Sequence, residues 1–190
     1  MTGKAQYGID VQLDGMLHAV IARSLVMGGK MASFDPTEAS KVSGVVKILP
    51  MPASEPSATF HPLEGVAVVA RNTWAALKAR KALQIQWRDG VHSEYNSDSY
   101  RTEMERAARK PGLVLRAVGD VDQAFDTAAR IVQAEYYLPH IAHASMEPPA
   151  AVARTADEYC KIWAPTQAPQ ATRVDIAKHL GLPTEKVKCA

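Results

Sequence analysis

The stretch from Gly65 to Arg88 constrains the fold more than any other part of this 190-residue chain. It opens on Gly65-Val66-Ala67-Val68-Val69-Ala70, a continuous apolar run of strand length. Such a run suits a strand covered on both faces, because a half-exposed strand would alternate with polar residues. Asn72 or Thr73 then caps a helix over Trp74 to Ala82, whose interior is made of strong helix formers. Leu83, Ile85 and Trp87 alternate with Gln84, Gln86 and Arg88, the pattern of a half-exposed strand, and Asp89-Gly90 ends it with a turn.

The residues before this unit supply the neighbours it needs. Met16 to Ala22 is β-rich behind Gly15, and Lys30 to Phe34 alternates and is expected to pair with it. Asp35 suits a helix cap and Pro36 the first helical position, so a short helix should run through Val42 and stop near Gly44. Val45 to Leu49 is a further strand, broken by Pro50-Met51-Pro52, and Ala53 to His61 is a loop. The order β, β, α, β, β, α, β describes an α+β domain ending near Gly90. Hydrophobic residues make up 47% of the chain, enough for a buried core. The net charge of +2 is too even for an electrostatic nucleic-acid or membrane-surface binder.

Beyond Gly90 the texture changes. Val91 to Asp98 is a polar linker, Ser99 to Lys110 a charged helix stopped by Pro111-Gly112, and Asp120 caps a short helix over Val121 to Ala128. Arg130 to Leu138 carries the β-branched and aromatic residues of a strand. Pro139 to Pro149 is a loop, because its three prolines cannot share one helix. Ala150 to Arg154 and Tyr159 to Trp163 form a hairpin, Gln170 to Leu180 an amphipathic helix ended by Gly181, and Lys186 to Cys189 the start of a strand. The last elements read as a unit whose next element is absent, so the chain is expected to be a piece of a larger subunit. The start holds no apolar signal core and the longest apolar run is far short of a membrane span, so the expected location is cytoplasmic or periplasmic.

Candidate chemistry gathers in two loops. His140, His143 and Glu147 are the densest cluster of ligand-type side chains. Zinc takes such donors, but a proline-rich loop lacks the helical spacing that zinc helices use. The alternatives are histidines and a carboxylate that bond backbone groups, or a loop shaping a cofactor pocket. Thr166-Gln167 lies between two prolines just ahead of a helix, where an amide side chain and the helix's first N–H groups can face a ligand or simply serve the turn. Gly28-Gly29-Lys30 lacks the spacing of a phosphate loop, since Met31 follows, and is a strand-linking turn. His18, His61, His92 and His179 are scattered and structural. Cys160 and Cys189 are too few and too far apart for a zinc or disulfide framework.

At this point the residues resemble a known family. Gly3-x-Ala5-x-Tyr7-x-x-Asp10, Leu13-x-Gly15-Met16-Leu17-His18-Ala19, Ser33-Phe34-Asp35 and Ser43-Gly44-Val45 resemble the a/b hammerhead domain of the large subunits of xanthine dehydrogenase and aldehyde oxidase relatives. Gly65 to Trp87 resembles its closing strand–helix–strand. The resemblance continues through Gly119-Asp120-Val121-x-x-Ala124-Phe125, Glu135-Tyr136-Tyr137, His143-Ala144-Ser145-Met146-Glu147-Pro148 and Trp163-Ala164-Pro165-Thr166-Gln167. The last two are similar to the bacterial branch typified by the isoquinoline 1-oxidoreductase beta subunit, which includes aldehyde dehydrogenases. Together these motifs cover nearly the whole chain.

The resemblance implies a molybdenum hydroxylase that places water-derived oxygen on an aldehyde or an N-heterocycle. It implies a molybdopterin, in the cytosine dinucleotide form, and a small partner subunit with two [2Fe-2S] clusters. It implies a hammerhead domain over residues 1–90, a linker and connecting helix over 91–118, and part of the first molybdopterin-binding domain over 119–190. Thr166, Gln167, His143 and Glu147 are then the expected cofactor-facing residues, with no catalytic residue and no metal ligand in this chain. The family's glycine-rich segment and catalytic glutamate are not matched, and the glutamine that relatives carry just before position 143 is replaced by Ile141 and Ala142. The expected role is therefore architectural, with no cofactor held by this piece alone and self-association through exposed apolar surface. A free-standing, non-catalytic module that binds a partner or ligand is the alternative.

Overall fold

The computed structural model describes residues 3–52, 63–156 and 158–190. The chain divides into two compact units, Leu17–Ile141 and a second made of Met1–Met16 with Ala142–Ala190. Both mix helix and strand, as an α+β chain should.

In the first unit, β1 (His18–Ala22), β4 (Gly65–Ala70) and β3 (Val45–Met51) form an antiparallel sheet with β4 in the centre. The central place explains the apolar run: Val66, Val68 and Ala70 are wholly buried. One side is covered by α1 (Thr37–Ser40) and α2 (Thr73–Ala82), through Ala39, Ala75, Ala76 and Ala79. Small side chains let the helices approach closely, and Val20, Val42, Val45, Ile48 and Leu83 fill the margins. The Asn72 carboxamide oxygen accepts from the Ala75 amide at 2.8 Å and starts α2. Gly65 is required where it stands, because a Cβ there would collide with the Ala22 carbonyl of β1.

Several expectations are corrected here. β2 (Lys30–Asp35) pairs not with β1 but with β5 (Gln84–Arg88), in a separate two-stranded sheet. Strand propensity is local and carries no information about the partner. β3 continues through Pro50 to Met51, because it is an edge strand where a missing N–H costs no ladder bond. Asp35 Oδ1 accepts from Thr37 N at 2.8 Å, but the cap of α1 falls on Pro36, one residue later than expected, and the helix is short, ending at Ser40. The charged helix α3 (Ser97–Ala108) starts earlier than Ser99, since Asn96 Oδ1 takes the Asp98 and Ser99 amides. The short helix α4 (Val121–Asp126) is capped by Asp120, as expected. Arg130 to Leu138 is not a strand: no ladder partner exists for it among the described residues. The loop expected over Ala53 to His61 lies outside the described residues.

In the second unit, β6 (Val152–Ala156) and β7 (Tyr159–Trp163) form the expected hairpin. The helix α5 (Pro169–Leu180) then carries the chain to β8 (Val187–Cys189), which pairs parallel to β7. Gly181 ends α5 at φ +66°, a left-handed conformation that favours glycine. Cys160, Ile162, Ala177 and Val187 make the core.

Candidate functional site

Most of the two loops singled out by sequence, from Ala142 to Pro149 and at Thr166-Gln167, lies in the second unit, on either side of its hairpin. The chain leaves β7 at Trp163 and passes through Ala164 and Pro165 to Thr166, whose amide bonds to the Ala164 carbonyl at 2.9 Å. The Thr166 hydroxyl accepts from Ala168 N at 3.1 Å and meets the Thr172 hydroxyl at 3.2 Å. Thr166 thus fixes the turn into α5. Gln167 is exposed, and no side chain caps the first turn of α5. Pro169 has no N–H and Thr166 takes the Ala168 amide, so the Gln170 and Ala171 amides lie uncapped near an exposed Gln167, donors of a kind suited to an anionic or polar group.

The other loop is anchored from the far end of the sequence. Glu147 Oε1 accepts from the Gly8 amide at 3.2 Å, across a sequence separation of 139. Gly8 opens a single 3-10 turn, Gly8–Asp10, held by the Asp10 carboxylate on the Tyr7 amide at 2.9 Å. A Cβ on Gly8 would sit 3.1 Å from the Ala150 carbonyl and 3.6 Å from Pro165 Cδ, so glycine lets this turn press against both loop ends. Glu147 is therefore committed to a backbone donor. His143 is exposed and forms no hydrogen bond among the described residues, and Ala144 beside it has φ +45°, which a non-glycine residue rarely adopts.

His140, grouped with His143 by sequence, belongs to the first unit. Its Nδ1 lies 2.8 Å from the Tyr95 hydroxyl, with the Tyr100 ring 5.2 Å away, centre to centre. No group of three or more His, Cys, Asp or Glu side chains able to hold a metal occurs among the described residues. The plainer expectation, histidines bonded to backbone groups, is not what His140 does, since its partner is the Tyr95 hydroxyl. Sequence reasoning missed Gly8, Tyr95 and Tyr100. A glycine between Tyr7 and Asp10, a pair spaced to cap a single turn, was the available signal for the first.

The two cysteines differ in kind. Cys160 is buried in the core, and burial pushes its thiol pKa up. Cys189 is half-buried. With its pKa raised in the folded state, Cys160 contributes stability that is full below the unfolded thiol's pKa of about 8.5 and is lost as pH rises through the folded value. Urea midpoints measured between neutral and alkaline pH should therefore fall more steeply for the native chain than for Cys160→Ala. Iodoacetamide should modify Cys189 well before Cys160; equal rates would contradict the burial.

The comparisons with known proteins accord with this geometry. Residues 105–190, which contain both loops, match the molybdopterin cofactor-binding domain. Over 188 residues the chain is 31% identical to the membrane-bound aldehyde dehydrogenase (pyrroloquinoline-quinone) of Gluconacetobacter polyoxogenes, covering 97% of this chain and 24% of that protein. It is 29% identical to the isoquinoline 1-oxidoreductase subunit beta of Brevundimonas diminuta, covering 98% of this chain and 24% of that one. Residues 105–190 carry the molybdopterin cofactor-binding domain, and the chain as a whole is similar to part of the molybdenum-binding subunits of the xanthine dehydrogenase and aldehyde oxidase family. It spans about a quarter of the length of these curated relatives. The solved quinoline 2-oxidoreductase of Pseudomonas putida 86 superposes with a TM-score of 0.62 at 19% identity, over 99% of this chain and 28% of that one, which establishes the shared α+β fold. No helix among the described residues is long and apolar enough to cross a membrane.

Proposed function

We propose that this chain forms pocket walls in the large subunit of a molybdenum hydroxylase that oxidises aldehydes or hydroxylates N-heterocycles. Residues 1–90 serve as the hammerhead domain, 91–118 as linker and connecting helix, and 119–190 as part of the first molybdopterin-binding domain. The observation that carries the reading is the molybdopterin-domain match over residues 105–190, which takes in the Glu147 and Gln167 loops.

The residues present fit such a cofactor. A molybdopterin dinucleotide is anionic and rich in acceptors, and the Thr166–Gln167 turn offers an exposed carboxamide beside the uncapped start of a twelve-residue helix. Gln167 would donate to the cofactor, Thr166 would hold the turn that presents it, and His143 would add a ring N–H. Glu147 would order its loop through Gly8. When bound, the cofactor supplies the redox chemistry, taking electrons from a substrate carbon that gains oxygen from water, and the protein supplies orientation and electrostatics. A small [2Fe-2S] partner subunit would receive the electrons, and the cofactor would be the cytosine dinucleotide form. No residue of this chain is assigned to proton transfer at the reacting carbon.

The test is to produce the subunit that contains this chain with its iron–sulfur partner, and to measure molybdenum, CMP released on hydrolysis, and dye reduction by aldehydes and N-heterocycles. Gln167→Ala should cut cofactor retention about tenfold or more, the loss expected for one hydrogen bond to a charged group. Unchanged molybdenum and CMP content in that variant would remove Gln167 from the pocket. Absence of both from the native assembly would overturn the reading itself.

A further inference from the structure

Residues 130–150 make no backbone–backbone hydrogen bond among the described residues, yet part of this segment follows a defined course. It meets side chains of α3 and of the residues at its two ends. Arg109 Nη2 meets Glu135 Oε2 at 2.9 Å. The Arg101 guanidinium lies 4.6 Å from the centre of the Tyr137 ring. The Tyr95 hydroxyl, just ahead of α3, lies 2.8 Å from His140 Nδ1, and the two rings stack at 19°. The contacts run in opposite order on the two sides: Glu135, Tyr137 and His140 meet Arg109, Arg101 and Tyr95.

The helix side is prepared for this. Arg101, Glu105 and Arg109 fall four residues apart and so form one stripe. Glu105 holds both arginines, its carboxylate accepting from Arg101 Nε at 2.9 Å and its carbonyl from Arg109 Nη1 at 2.8 Å. The guanidinium groups are thereby aimed before the segment arrives.

We propose that residues 135–140 form a strap latched antiparallel onto α3, and that the latch is electrostatic and released by salt. Among the described residues no ladder hydrogen bond and no fully buried side chain holds the strap, and two of its three contacts involve a solvent-facing guanidinium. The Arg109 and Glu135 side chains are 61% and 64% exposed, which places the pair within reach of ionic screening. The inference stands apart from the cofactor reading and concerns α3 and the strap alone.

Limited chymotrypsin digestion of the intact chain, with cut sites identified by mass spectrometry, tests it. Leu115 and Phe125 are exposed and outside the strap, so they report the unlatched rate. Cleavage after Tyr137 should be slower than after Leu115 at low salt and should rise about two- to fivefold in roughly 1 M NaCl, the range of a single exposed ion pair. Arg109→Glu should raise it to a similar degree at low salt, and the swap Arg109→Glu with Glu135→Arg should restore protection. Tyr95→Phe, which keeps the ring and removes the hydroxyl, should raise cleavage while leaving its salt response intact. The proposal is overturned if Tyr137 is cut as fast as Leu115 in the native chain, or if the charge swap fails to restore protection. It is equally overturned if salt accelerates all sites alike, because that would report general loosening.

Discussion

Replacing Val68 with Asp should abolish cooperative unfolding of the Leu17–Ile141 unit under conditions in which the native chain is folded. Val68 is wholly buried at the middle of β4, paired with Val20 on one side and Ile48 on the other. Its neighbours Ala39 and Ala79 offer no donor to a carboxylate. An unpaired buried charge costs about 3–5 kcal/mol, against a total stability of roughly 5–15 kcal/mol for a domain. The control is Val46→Asp. Val46 sits at the irregularity of β3 and is 48% exposed, so its substitution should change stability by no more than about 0.5 kcal/mol. Urea unfolding followed by far-ultraviolet circular dichroism separates the two. If Val68→Asp retained a native-like midpoint, the assignment of β4 as the centre of the core would be wrong.

The second large effect is expected in the other unit. Ile162 is 5% exposed on β7, between the β6 and β8 ladders, and packs with Cys160, Ala177 and Val187. Truncation to Ala removes three carbons from a core that, among the described residues, has four buried members with Ala164, Ile176 and Leu182 packed against them. The expected loss is about 2–5 kcal/mol. Because the Thr166–Gln167 turn leaves directly from the end of β7, the same substitution should loosen that turn. Fluorescence of Trp163, read in a background where Trp74 and Trp87 are Phe, would report the unit alone. A midpoint unchanged from the parent would show that the β7–α5 packing carries little of its stability.

How much of this was legible in the sequence varies with the kind of interaction. Gly65 to Arg88 was readable almost residue by residue, because burial on both faces, helix propensity and alternation all act within a few neighbours. The hairpin from Val152 to Trp163 and the Gly181 helix end were readable for the same reason. The start of α3 was not, since Asn96, Ser97, Asp98 and Ser99 are all acceptable caps, and only packing selects among them. The strand expected over Arg130 to Leu138 shows the converse. Its residues favour extension, but a strand is defined by a neighbour's hydrogen bonds, and Glu135, Tyr137 and His140 instead meet side chains of Arg109, Arg101 and Tyr95, on α3 and at its two ends.

By itself, the sequence determined the mixed α+β class, the order and approximate bounds of most elements, and the motif pattern that carries the family resemblance. These rest on local preferences and on residue identity, which a linear string contains in full. The tertiary structure alone decided that β2 joins β5 and not β1, that Glu147 is spent on the Gly8 amide, and that His140 turns to Tyr95 while Gln167 stays open. Each of these depends on which distant backbone or side-chain group arrives within about 3 Å. That proximity is set by the packing of whole elements, and no short-range signal encodes it.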